Sequence, residues 1–121
     1  VMKILIVEDE VLLANSLKTL LEKKGFTVEV AYDGEAGKDY AETGVYDLLI
    51  LDEILASCNY GMVRETSVVE FLKNRPEKLE VVLTGRNPSE TFLELADYVS
   101  EICMRRHPYE KGIPARRGIE F

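Results

Sequence analysis

The sequence predicts a three-layer α/β sandwich built on a doubly wound, mainly parallel sheet of five strands. Short apolar runs alternate with amphipathic stretches along the 121 residues, and the strand candidates are apolar enough to be covered on both faces. Strands that alternate with helices favour parallel pairing through right-handed crossovers. No linker, repeat or low-complexity segment interrupts this pattern, so we expect residues 1–121 to form one domain.

The first half contains three strand candidates and two helix candidates. The leucines Leu13, Leu17 and Leu21 repeat at helical spacing, and Gly25 after Lys23 and Lys24 is typical of a helix end. The predicted elements are strand Lys3–Val7, the leucine helix, strand Phe26–Ala31, a turn at Asp33-Gly34, helix Glu35–Glu42 and strand Tyr46–Leu51.

The second half predicts two further strands and two helices. Asn87 followed by Pro88 and Glu90 is a helix-start pattern, with Asn87 as the N-cap. The predicted elements are a loop over residues 54–62, helix Glu65–Asn74, strand Leu79–Thr84, a helix from Asn87 to Ala96, a fifth strand Tyr98–Met104 and an irregular tail over residues 108–121.

Charge and cysteine usage exclude several classes of function. The net charge of −7 argues against nucleic acid or an anionic membrane as a partner, and no apolar run is long enough to span a bilayer. Cys58 and Cys103 have no CxxC partner and His107 is the single histidine, so a structural zinc site is not expected. Free thiols fit a cytoplasmic location. We expect no specific partner, and either a monomer or a homodimer.

Four carboxylates follow two of the predicted strands. Glu8 and Asp9 come after strand one, and Asp52 and Glu53 come after strand three. If these strands are neighbours, the four groups converge at the carboxyl edge of the sheet, where ligands of such sheets bind. Mg²⁺ prefers such oxygen ligands, so the sequence predicts a weak magnesium site; the alternative is a solvated acidic rim.

The N-terminal part resembles a response-regulator receiver domain. The resemblance is carried by Lys3–Glu10 and by residues 31–36, Ala-Tyr-Asp-Gly-Glu-Ala, and covers about residues 1–40. It implies the flavodoxin-like strand order 2-1-3-4-5, Mg²⁺ held by Glu8 and Asp9, phosphorylation of Asp52, and a switch role for Thr84. The pattern departs from the family at His107-Pro108, where receivers have Lys-Pro, so the usual cationic partner of the phosphoryl group is missing.

Residues 47–121 resemble ATP:corrinoid adenosyltransferases, which have a P-loop NTPase fold. The matching motifs are Leu51–Ile54, Asn59–Gly61, Leu72–Pro76, Val82–Asn87, Ala96-Asp97 with Glu101, and residues 107–121. The resemblance implies that Asp52 and Glu53 bind a metal and that Thr84, Gly85 and Arg86 lie near a nucleotide. Arg86 is therefore a candidate anion contact; the alternative is a surface arginine that pairs with the acidic rim.

The sequence contains no G-x-x-x-x-G-K-[ST] phosphate loop, which is the part of a P-loop enzyme that binds the triphosphate. We therefore expect neither ATP nor corrinoid binding and no enzymatic activity. The two resemblances meet within residues 35–47, which suggests an engineered chimeric scaffold without a complete catalytic site. The alternatives are a receiver module phosphorylated on Asp52 and an inactive adenosyltransferase fragment.

Overall fold

The structure, a computed structural model, describes residues 1–103. Within this range the chain forms four strands and five helices. In chain order they are β1 (Lys3–Val7), α1 (Val11–Lys23), β2 (Thr27–Ala31), α2 (Gly34–Ala41), β3 (Leu48–Leu51), α3 (Ile54–Asn59), α4 (Glu65–Asn74), β4 (Glu80–Leu83) and α5 (Glu90–Leu95).

The strands form one parallel sheet in the order β2-β1-β3-β4. This confirms the predicted α/β fold and the first four positions of the order 2-1-3-4-5. The register places Val7 beside Ala31 and Leu51, and Leu51 beside Leu83, so these strands end at one edge of the sheet.

The predicted fifth strand is not formed over residues 98–103, and Met104 lies outside the described residues. Tyr98 and Ile102 are 93% and 99% exposed, so no buried face stabilises an extended conformation there. The prediction of five strands is therefore wrong for the described part of the chain, which contains four.

The two faces of the sheet have different coverings. On one face, Leu5, Leu49 and Leu79 pack with residues of α2 and α4. On the other face, Ile4, Ile6 and Val28 pack with Leu17 and Leu21 of α1. The alternation follows from the two-residue period of a strand. The layers are therefore α1, the sheet, and the pair α2 and α4.

The residue Gly37 explains how α2 can lie against β1. A Cβ atom at this position would lie 2.5 Å from Cγ2 of Val7, so a larger residue would push the helix away from the strand. The glycine that weakens the helix in isolation is needed for its packing.

Two predicted boundaries differ from the structure near the end of β3 and the start of α5. Residues 54–59 form helix α3 rather than loop, because Leu55 packs with Val68 and Phe92 in a third apolar cluster. Helix α5 begins after Ser89, whose side chain accepts a hydrogen bond from the Phe92 N–H, so the N-cap is Ser89 and not Asn87.

The predicted tail, residues 108–121, lies outside the described residues. Across residues 1–103, no helix combines the length and the apolar character needed to cross a membrane.

Candidate functional site

The site lies where three neighbouring strands end. Glu8 follows β1, Asp52 follows β3 and Thr84 follows β4. The Asp52 N–H donates to the Val7 carbonyl and the Thr84 N–H donates to the Leu51 carbonyl. The hydrogen-bond ladder thus continues one residue past the strands and brings these side chains to one edge of the sheet.

The hydroxyl group of Thr84 connects two strand ends. It donates a hydrogen bond of 2.9 Å to Oδ1 of Asp52 and accepts one of 2.8 Å from the N–H of Glu53. Because the hydroxyl is both donor and acceptor, its orientation is fixed. Thr84 therefore holds the Asp52 carboxylate and the residue that follows it in one arrangement.

The carboxyl group of Glu8 is buried beside Asp52. Glu8 is 7% exposed, although most charged side chains are at the surface. Burial, followed by the hydrogen bond to Asp52 and the charge of Asp52, raises the pKa of Glu8 from 4.5 to about 7. The N–H of Glu10 donates to Oε1 of Glu8 at 3.4 Å and partly opposes this rise in pKa. At neutral pH, Glu8 therefore holds a proton for part of the time.

The other two predicted metal ligands have different surroundings. Asp9 is exposed, and its charge contributes only the smallest upward effect on the pKa of Glu8. Glu53 is also exposed and has a left-handed backbone with φ of 55°. In residues 1–103, no group of three or more His, Cys, Asp or Glu side chains is arranged to hold a metal ion. The structure thus brings Glu8 and Asp52 into direct contact, and Asp9 and Glu53 lie next to them in the chain.

Backbone geometry after β4 depends on Gly85. Its φ is +142°, and a Cβ atom there would lie 2.6 Å from Cβ of Leu55. The Leu55 N–H donates to the Thr84 carbonyl at 3.3 Å. Gly85 therefore allows the start of α3 to approach the strand that carries Thr84.

The side chain of Asn59 fixes the loop that contains Arg86. Its Nδ2 donates to the carbonyls of Arg86 and Asn87, each at 3.1 Å. The Arg86 residue itself is exposed. Sequence reasoning identified Asn59 only as part of a motif, and it missed the burial of Glu8. The strand register would have been the signal for Glu8, since it places the ends of β1 and β3 side by side. His107 lies outside the described residues.

Comparison with known proteins confirms both resemblances. A family model described as ATP:corrinoid adenosyltransferase BtuR/CobO/CobP matches residues 27–121. The corrinoid adenosyltransferase of a Sinorhizobium species is 39% identical over 88 residues, which cover 72% of this chain and 41% of that protein. The transcriptional regulatory protein DltR of Streptococcus agalactiae serotype III is 46% identical over 54 residues, which cover 45% of this chain and 24% of that protein.

A solved structure shows the same fold. A chain from the complex of histidine kinase ThkA with the response regulator protein TrrA superposes with a TM-score of 0.60 at 22% identity, covering 93% of this chain and 96% of that one. The chain spans less than half the length of the curated relatives named above. Because the family model matches most of its residues, the chain belongs to the ATP:corrinoid adenosyltransferase BtuR/CobO/CobP family.

Proposed function

We propose that these 121 residues are an engineered chimeric α/β scaffold with no complete catalytic site and with a weak Mg²⁺ site at the Glu8–Asp52 pair. The observation that carries the magnesium site is the contact of the buried Glu8 with Asp52, to which Thr84 is hydrogen-bonded. This corner has the residues of a receiver domain, although the chain belongs to an adenosyltransferase family. Support for recombination comes from the similarity to two unrelated kinds of protein within one chain.

The chemistry of the pair favours a divalent cation. Two carboxyl groups in contact repel each other when both are ionised, and either a proton or a cation relieves the repulsion. Mg²⁺ would use the oxygens of Glu8 and Asp52, with Asp9 as a neighbouring acid, and would keep several waters. Binding requires loss of the proton on Glu8, so affinity is expected to be low and to depend on pH.

A titration with MgCl₂ followed by amide NMR tests the magnesium site. Saturable shifts at Glu8, Asp52 and Thr84 are expected for the unmodified chain, and Asp52→Asn should remove them. Asp39→Asn, which changes an exposed carboxylate on α2, is the matched control and should retain them. Equal shifts in Asp52→Asn would refute the site.

Calorimetric titrations with ATP and with a corrinoid test the absence of adenosyltransferase chemistry. We expect no heat of binding from these 121 residues, because they contain no G-x-x-x-x-G-K-[ST] loop. Saturable ATP binding, or formation of an adenosylated corrinoid, would overturn the proposal that the catalytic site is incomplete.

The second candidate function is a phosphoacceptor module. It is favoured by the hydrogen bond from Thr84 to Asp52, which places a hydroxyl on the carboxylate that would be modified. An oxygen of Asp52 would attack the phosphorus of an acyl phosphate, the bond from phosphorus to the acyl oxygen would break, and the carboxylate would leave. With Mg²⁺ and acetyl phosphate, a mass increase of one phosphoryl group that Asp52→Asn abolishes and Asp39→Asn retains would support this function. An unchanged mass would reject it.

A further inference from the structure

On one face of the sheet, residues 1–103 cover only two of the four strands. The side chains of Val30, Ile6, Ile50 and Val82 form a row across β2, β1, β3 and β4. Ile6 is completely buried, whereas Val82 is 42% exposed. Within the described range, the helix that packs on this face is α1, which contacts β1 and β2. We call the half-covered part, formed by Leu48, Ile50 and Val82, the open sheet face.

Parallel strands are normally covered on both faces, because their side chains are apolar on both sides. Exposure on the open sheet face increases toward β4: Ile4 and Ile6 are buried, Leu48 and Ile50 are half-buried, and Val82 is exposed. An apolar surface that continues directly from a buried core indicates a place where another segment packs.

We propose that the open sheet face is the docking surface of residues 104–121 of the same chain. Helix α5 ends at Leu95, on the opposite side of the sheet, since its Phe92 packs with Leu55, Val68 and Leu83. Residues 96–103 are all exposed, and eight extended residues span roughly 26 Å. The path from the layer of α5 past the sheet to the opposite layer is two spacings of about 10 Å, or roughly 20 Å, so the connection can pass around β4.

Charge and apolar content support this occupant. Residues 104–121 contain five arginine or lysine side chains and two glutamates, a net charge of +3, whereas residues 1–103 carry −10. The exposed Glu80 lies on the same face of β4 as Val82, at the edge of the open sheet face. The segment also contains the apolar residues Ile113, Ile119 and Phe121, whose character matches that of Ile50 and Val82.

Paramagnetic relaxation in the full-length chain tests the docking. A nitroxide is attached at Ala115→Cys in a Cys58→Ser, Cys103→Ser background, which leaves the charges of the segment unchanged. We expect the strongest line broadening at the amides of Ile50 and Val82, and much weaker broadening at Gly37 on the opposite face. Val82→Lys should remove most of this difference, and Val45→Lys, at a valine of similar exposure outside the sheet, should preserve it.

A mixed sample identifies the source of the segment. Isotope-labelled chain without nitroxide is combined with unlabelled chain that carries it, so that broadening arises only between two molecules. We expect no broadening at Ile50 and Val82 in this sample. Broadening at Ile50 and Val82 in the mixed sample would show that a second copy occupies the face. Uniform broadening across both faces in the first sample would show that the segment does not dock. Either result overturns the proposal.

Discussion

The buried carboxyl group of Glu8 should make the stability of the protein depend on pH, and Glu8→Gln should remove that dependence. The pKa of Glu8 is raised from 4.5 to about 7 by burial and by Asp52. Between these two pH values the folded state keeps a proton that the unfolded state has released. The folded state therefore binds more protons, and the free energy of unfolding falls as pH rises through this window.

The size of the effect follows from the shift in pKa. A difference of about 2.5 pKa units at about 1.4 kcal/mol each gives roughly 3 kcal/mol. This contribution is fully present below about pH 4.5 and is lost as pH rises through about 7. Since small domains are stable by only about 5–15 kcal/mol, a change of this size is measurable.

Urea denaturation at a series of pH values from 4 to 8 measures the effect. The quantity of interest is the difference in the free energy of unfolding between the unmodified chain and Glu8→Gln, because groups that do not contact Glu8 titrate equally in both. This difference should change by about 3 kcal/mol across the series. Glu10→Gln, at an exposed neighbouring carboxylate, is the matched control. Parallel pH profiles for the unmodified chain and Glu8→Gln would refute the reasoning.

Three further substitutions test the packing that positions the site, each by urea denaturation. Gly85→Ala should lower the free energy of unfolding by about 1–3 kcal/mol, because the φ of Gly85 is +142° and a Cβ would lie 2.6 Å from Cβ of Leu55. Gly44→Ala, where a Cβ would have nothing within 4 Å, should lower it less, and equal losses would contradict the close approach. Asp33→Ala should lower the free energy of unfolding by about 0.5–2 kcal/mol, because the Ala36 N–H loses its acceptor, Oδ1 of Asp33 at 2.8 Å, at the start of α2. An unchanged urea midpoint would contradict this. Leu49→Ala should lower the free energy of unfolding by about 2–5 kcal/mol, since Leu49 is buried in the core. A decrease below about 1 kcal/mol would argue against that burial.

The agreement between sequence and structure is best where a periodic pattern is long. The helix Glu65–Asn74 has the predicted ends, and the strand Lys3–Val7 does as well, because apolar spacing and a following proline or acidic pair set their limits. Helix α3 was missed because its six residues are too short to show a period. It forms because Leu55 finds Val68 and Phe92, which are distant in sequence.

The fifth strand was predicted because residues 98–104 have a strand-like composition. Composition alone does not form a strand, since hydrogen bonds and burial come from a neighbour. Residues 98–103 have neither a paired strand nor a buried face in the structure. The same limit applies to Asn87, whose residue type suits an N-cap but whose backbone adopts φ of 52° instead.

The sequence by itself determined the alternation of strands and helices, the parallel sheet, the position of each acid after a strand, and the two resemblances within one chain. Tertiary structure alone decided that Glu8 is buried against Asp52, that Thr84 bonds to Asp52, and that Asp9 and Glu53 remain exposed. The reason is physical. Chain order shows which residue follows which strand, but the pKa of a carboxyl group depends on the charges and the solvent around it, and these are set by strands that meet only in the folded sheet.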